Sequence, residues 1–310
     1  DVPPDAKERP PSAGPRGRRL SRWWVPYALI APAVMLMVVF LLYPVLSVFY
    51  YSFRHHNVTQ PWNNGFAGLD NFRTMLFEDP LFWDSLLFTA RWVGWEVVLQ
   101  LIFGLILALV INEAFRFRGL VRATVFAPWA ISGVLTTVLW LLLYNPTTGV
   151  FRFLGDLGIG RPDLAVLADT ETVFAAAVVA ELWRGIPFFA ILLLADLQTA
   201  SQDLYEAASV DGAGVWRRFV HITLPHLKSA IILSTLLRAV WEFNNVDLLY
   251  TLTGGGPARE TTTLPLYIAQ QAVDAYNFGY GAALTTAAFG ILLVSSLLYL
   301  WLSRFGKDNA

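Results

Sequence analysis

Through its middle the chain reads Ala123-Thr-Val-Phe-Ala-Pro128-Trp-Ala-Ile-Ser-Gly133-Val-Leu-Thr-Thr-Val-Leu-Trp140-Leu-Leu-Leu-Tyr144, 22 residues without one charged side chain. An α-helix rises about 1.5 Å per residue, so about 20 apolar residues cross a bilayer core. The stretch therefore reads as a membrane span. Five more apolar segments read the same way, over 25–53, 82–112, 172–197, 229–251 and 275–303. In the second of these the unbroken apolar part begins at Val97, which places Arg91 and Glu96 near one interface. The runs are long and continuous, unlike the strands of about ten alternating residues that build outer-membrane barrels.

Composition agrees with that reading. Of 310 residues 56% are hydrophobic and 15% charged, where soluble domains carry about 25% charged residues. The shortage weighs against a water-soluble enzyme and excludes a disordered chain. There is no cysteine, which excludes disulfides, thiolate metal sites and cysteine nucleophiles. A net charge of -1 gives no reason to expect nucleic acid. Residues 1–24 are rich in proline and basic side chains and too polar to build a core, so they read as a disordered tail preceding a transmembrane domain over 25–310. Basic residues set orientation, because Lys and Arg concentrate on the cytoplasmic side. With the N-terminus inside, fourteen cations lie in the cytoplasmic segments, five in the outer loops and three within spans. The expected architecture is all-α, six spans, with both termini inside.

The cytoplasmic loop over 199–228 holds Glu206-Ala-Ala-Ser-Val-Asp-Gly212, followed nine residues later by Ile222-Thr-Leu224-Pro225. Asp203 is placed to cap a short helix, with Glu206 three positions on as in a capping box. Ala207 and Ala208 keep one face of that helix thin. Asp211-Gly212 breaks it, since glycine reaches conformations that other residues avoid. A second helical stretch runs Val215 to Ile222, and Pro225 suits the first turn of the next span. The result is a helix–glycine–helix element small enough to enter another protein's groove.

This pattern, E-A-A, three residues, G, nine residues, I-x-L-P, resembles the signature loop of permease subunits in binding-protein-dependent ABC importers. All seven fixed positions match: Glu206, Ala207, Ala208, Gly212, Ile222, Leu224 and Pro225. Leu252-Thr253-Gly254-Gly255-Gly256-Pro257 resembles the sugar-permease branch, which includes maltose, trehalose and glycerol-phosphate importers. Asn71-Phe72, Arg118-Gly119 and Asn277-Phe278-Gly279-Tyr280-Gly281 are similar to further features of that branch. The resemblance implies the type I importer transmembrane fold in a bacterial cytoplasmic (inner) membrane. It also implies that Glu206, Ala207, Ala208, Asp211 and Gly212 form a turn that docks on an ATPase. The implied partners are a second, homologous permease subunit, two ATPase subunits, an extracytoplasmic substrate-binding protein, a sugar and membrane lipid.

The chain carries no motor of its own. A phosphate-cradling loop needs G-x-x-x-x-G-K-[ST], and the single Gly-Lys pair, Gly306-Lys307, is followed by Asp308. ATP and magnesium are accordingly expected on the partner ATPase, with no catalytic residue, cofactor or metal here. Intramembrane polar groups usually face a bundle interior, a partner or a wet cavity. The candidates for the substrate path are Trp183, Arg184, Glu242, Phe243, Asn244, Asn245 and Asp247. Glu181/Arg184 and Arg238/Glu242 have i,i+3 and i,i+4 spacing, so structural ion pairing remains the rival reading for them. Amides with aromatics suit sugar hydroxyls, a disaccharide such as trehalose or maltose above all. Arg184 or Arg238 could instead meet the phosphate of a glycerol-phosphate-type polyol. A third alternative is a secondary, ion-coupled transporter using the intramembrane carboxylates.

Overall fold

The computed structural model describes residues 24–113, 115–159 and 164–303. The basic tail, Arg161 and the C-terminal cations Arg304 and Lys307, all used in the charge count, lie outside the described residues. Residues 1–50 and 51–310 form two separate units. Helix α1 runs Val25–Met37, passes a π turn at Val38–Leu42 and resumes at Tyr43–Ser52, its last two residues belonging to the second unit.

The second unit opens with a two-stranded antiparallel ribbon, β1 (Arg54–His55) and β2 (Gly65–Phe66), in which Arg54 faces Phe66. Asn71, at the start of the short helix α2 (Asp70–Arg73), donates through its side-chain amide to the Ser52 and Arg54 carbonyls at 3.0 and 2.9 Å. Helix α3 (Pro80–Asn112) follows. Pro80 stands where its missing N–H costs nothing, and Asp79 caps the helix by accepting the Leu81 N–H at 3.0 Å.

Helix α7 (Val173–Leu197) packs along α3. The approach is close because glycines line it. A Cβ on Gly104 would lie 3.1 Å from the Ile186 carbonyl and 3.2 Å from the Ala190 nitrogen, and one on Gly185 would overlap the Gln100 amide. In a bilayer, where lipid tails are as apolar as leucine, such close packing drives helix association. Helix α9 (Val215–Phe243) lies against both, and helix α12 (Phe278–Leu302) completes the bundle. The outward faces of α3 and α12 carry exposed Phe103, Ile106, Val110, Phe289, Leu293, Leu297 and Trp301. Such a surface is costly in water and suits lipid.

The uncharged stretch over 123–144, expected as one uninterrupted span, is instead two helices. Helix α4 (Arg118–Ala130) and helix α5 (Gly133–Leu143) meet at 97°. Pro128 lacks an N–H, so the Thr124 carbonyl loses its helical partner. Ile131 and Ser132 then turn extended, with ψ of 139° and 140°. Among the described residues five helices are thus long and apolar enough to cross a membrane, or six spans if the bent pair counts as one. Short helices α6 (Val150–Asp156), α8 (Gln202–Val210), α10 (Asp247–Leu252) and α11 (Leu264–Ala269) link the long ones.

The bundle has two distinguishable ends. Ala108, Ile111, Leu197 and Leu227 pack beside the 199–228 loop. Met75, Phe82, Leu264, Tyr267 and Tyr280 pack at the other end. Between them sits a polar layer.

Candidate functional site

That layer is a hydrogen-bonded cluster joining α3, α7 and α9. The Arg238 guanidinium contacts the Glu181 carboxylate at 2.8 Å and that of Glu242 at 2.5 Å. Its Nε donates to Gln100 Oε1 at 2.6 Å. The Gln100 amide nitrogen in turn donates to Glu96 at 2.8 Å and Glu242 at 3.2 Å. Arg184 adds a second guanidinium on Glu181 at 3.0 Å. Glu96, Gln100 and Glu181 have no exposed surface. Both ion pairs expected from helical spacing therefore form, and they merge through Glu181. Glu96 lies inside this cluster rather than near an interface, because the α3 face carrying Trp92, Glu96 and Gln100 turns inward.

On one side the cluster opens into a cavity of about 230 Å³ lined by Trp129, Arg184, Arg238, Trp241, Glu242 and Asn245. Asn245 reaches Glu242 at 3.5 Å. The break between α4 and α5 lies beside it. A Cβ on Gly133 would sit 3.1 Å from Arg184 Nη1 and 4.0 Å from Asp247 Oδ2. The break therefore brings the backbone of one helix start next to the charged groups of α7 and α10.

Of the seven residues proposed from sequence for the path, Arg184, Glu242 and Asn245 line the cavity, and Asp247 lies by Gly133 at the α4–α5 break. The others point elsewhere. Trp183 packs edge-on against Trp140, with ring centroids 6.2 Å apart. Phe243 packs with the Met75 and Leu284 cluster. Asn244 donates to the Val240 carbonyl of its own helix at 2.8 Å. Sequence reasoning missed Gln100, Trp129 and Trp241. The signal for Gln100 was present, as the single polar residue in an apolar run.

At one end of the bundle, α8 closes in a Schellman turn. The Ala213 N–H bonds the Ala208 carbonyl at 2.8 Å and the Gly212 N–H bonds that of Ser209 at 3.1 Å. Gly212 takes φ +74, which glycine tolerates and side chains resist. The N-cap is Ser201, without a side-chain bond, and Asp203 instead sits in the first turn. There its charge favours the positive helix end. Helix α9 begins at Val215 and runs unbroken past Pro225, because a π turn over Phe219–Thr223 replaces the lost pairing. Ile222 lies in that turn, and Leu224 donates to the Phe219 carbonyl.

Two side-chain bonds tie α8 to α9: Tyr205 with Thr223 at 3.0 Å, and Arg218 to Ser209 at 2.8 Å. His226 lies 3.0 Å from the Asp196 carbonyl and binds the α7 end to the same base. Glu206, Ala207, Asp211 and Gly212 are exposed, as are the apolar Val210, Val215 and Trp216. No group of three or more metal-binding side chains occurs among the described residues.

Comparison with known proteins places this geometry. Residues 100–306 match the family described as binding-protein-dependent transport system inner membrane component. The trehalose/maltose transport system permease protein MalF of Thermococcus litoralis is 36% identical over 91% of this chain and 94% of that protein. The sulfoquinovosyl glycerol transport system permease protein SmoG of Agrobacterium fabrum is 35% identical, over 89% of each chain. Among solved structures, a bacterial ABC transporter that imports the acidic polysaccharide alginate aligns with a TM-score of 0.75. It shares 25% identity and covers 92% of this chain and 96% of that one. The chain therefore belongs to the binding-protein-dependent transport system inner membrane components, as a multi-pass permease subunit of a sugar ABC importer in the cytoplasmic membrane.

Proposed function

We propose that this chain forms half of the path by which a neutral sugar, a disaccharide of the trehalose or maltose kind, crosses the cytoplasmic membrane. A second permease subunit supplies the other half, and an extracytoplasmic binding protein delivers the sugar. ATP is hydrolysed with magnesium on two separate ATPase subunits, which hold the turn built from Glu206, Ala207, Ala208, Asp211 and Gly212. The observation that carries the substrate class is the commitment of both cavity guanidiniums. Arg238 is spent on Glu181, Glu242 and Gln100, and Arg184 pairs with Glu181 through Nη2 while its buried Nε has no hydrogen-bond partner. The cavity lining holds two guanidiniums, Arg184 and Arg238, and the Glu242 carboxylate. A phosphate would have to compete with carboxylates for both guanidiniums, whereas hydroxyls find Asn245, Glu242 and two indole faces.

The coupling route follows from helix continuity. Helix α9 carries the base of the docking turn at one end and Arg238 and Glu242 about 35 Å further on. Closure of the ATPases on ATP displaces α8, and the rigid α9 passes that displacement to the polar layer, changing which side the cavity faces. Asn245→Leu in the assembled importer is expected to raise the sugar concentration for half-maximal uptake about fivefold, the worth of one hydrogen bond. Trehalose and maltose should support uptake, and glycerol 3-phosphate should not. Glycerol phosphate uptake at a rate matching trehalose would overturn the neutral-sugar assignment.

A further inference from the structure

At the bundle end remote from the docking turn lies a second, larger cleft of about 570 Å³, lined by Asp79, Arg259, Tyr267, Gln270, Gln271 and Asp274 among others. It is built from three segments far apart in sequence: the cap of α3, the loop after α10, and α11 with its extension. Its wall is fixed. Asp79 caps α3 with one oxygen and with the other accepts the hydroxyls of Tyr267 at 2.6 Å and Tyr280 at 2.5 Å. Burial and the Asp79 carboxylate push the Tyr267 hydroxyl above the usual phenol range, so it stays a donor. Gln271 reaches that hydroxyl at 3.4 Å.

Gln270 donates through its amide nitrogen to the Gly254 carbonyl at 3.2 Å, and Pro80, Leu81 and Ala275 complete the lining. Arg259 and Asp274 have no ion pair among the described residues. The segment Gln270–Asp274 is a π turn, with Ala275 N–H bonded to the Gln270 carbonyl at 2.9 Å. Such turns concentrate at functional sites. Three non-glycine residues by the cleft hold positive φ: Ala258 at 49°, Arg259 at 67° and Tyr276 at 54°. Backbone strain of this kind persists where the surroundings enforce it and clusters at ligand clamps. Together the cleft offers carboxylates, amides and a guanidinium with little net charge, in a volume typical of small-molecule sites.

We propose that this cleft is a polyol subsite at the outer mouth, where Gln270, Gln271 and Asp274 hold sugar hydroxyls before the sugar reaches the Trp241–Asn245 cavity. The proposal rests on the sugar-importer reading above, which fixes the ligand class and the outer placement. A photoreactive diazirine derivative of trehalose, applied to the assembled importer in nanodiscs and mapped by peptide mass spectrometry, tests it. Labelling within 259–275 that excess trehalose suppresses is expected. Gln271→Leu with Asp274→Asn should cut that labelling about 25-fold, two hydrogen bonds' worth, and leave labelling near Trp241 in place. Label near Trp241 with none in 259–275 would overturn the subsite while leaving the importer reading intact. Label at neither place would remove both. Unchanged labelling in the double variant, with weaker stimulation by the binding protein, would make the cleft a protein-docking surface instead and overturn the proposal.

Discussion

Arg238→Gln is expected to be the most damaging single substitution in the chain. The guanidinium is 4% exposed and stands between Glu181 and Glu242, both buried. Its removal leaves these carboxylates in a low-dielectric layer with Glu96 near by and only Arg184 to offset them. Breaking a buried pair from one side costs about 3–5 kcal/mol, because the remaining charge goes uncompensated. In nanodiscs this should lower the melting temperature by about 5–10 °C and abolish uptake. Neutralising the carboxylates as well, with Glu181→Gln and Glu242→Gln, should restore most of the stability, since uncharged replacements of a buried ionic cluster are often close to neutral. It should not restore uptake. A single variant that melts within about 1 °C of the natural chain would mean that the cluster is hydrated and carries little of the fold.

Gly212→Val should separate folding from coupling. Nothing lies within 4 Å of a Cβ built there, so the substitution meets no steric obstacle and acts only through the backbone. The left-handed conformation costs an ordinary residue about 1–2 kcal/mol, and β-branching makes valine one of the worst occupants. The Schellman turn should open and the geometry offered to the ATPase should be lost. Insertion and yield should match the natural chain, whereas ATPase retained on purification should fall about tenfold for about 1.4 kcal/mol. Gly212→Asn, which tolerates this region better, should keep most of the ATPase. Equal retention by the valine variant would detach the docking role from this turn.

Much of the bundle was legible in sequence because the bilayer demands long apolar runs, and each run registers directly in composition. The turn at Gly212 was legible for a different reason. Its left-handed residue calls for glycine, and the Asp211-Gly212 pair displays that requirement. The 97° bend was not legible from the apolar run, because hydropathy is blind to direction. Pro128 and the extended pair Ile131-Ser132 set the break, and many spans keep a proline without turning so far. The polar layer was half visible. Helical spacing pairs Glu181 with Arg184 and Arg238 with Glu242, but no local rule brings Gln100 to Arg238 across 138 positions. That contact depends on α3 and α7 approaching at Gly185, where Gln100 fills the space a side chain would take.

The central claim, that this chain is a passive half-path driven through its docking turn, is tested most directly by trehalose uptake into proteoliposomes. One set holds this chain with its partner permease, the ATPase pair and external binding protein, and a second set holds this chain alone under a pH gradient. Uptake in the first set is expected to require both ATP and binding protein, and none is expected in the second. Accumulation of sugar by the chain alone, driven by the pH gradient, would contradict it.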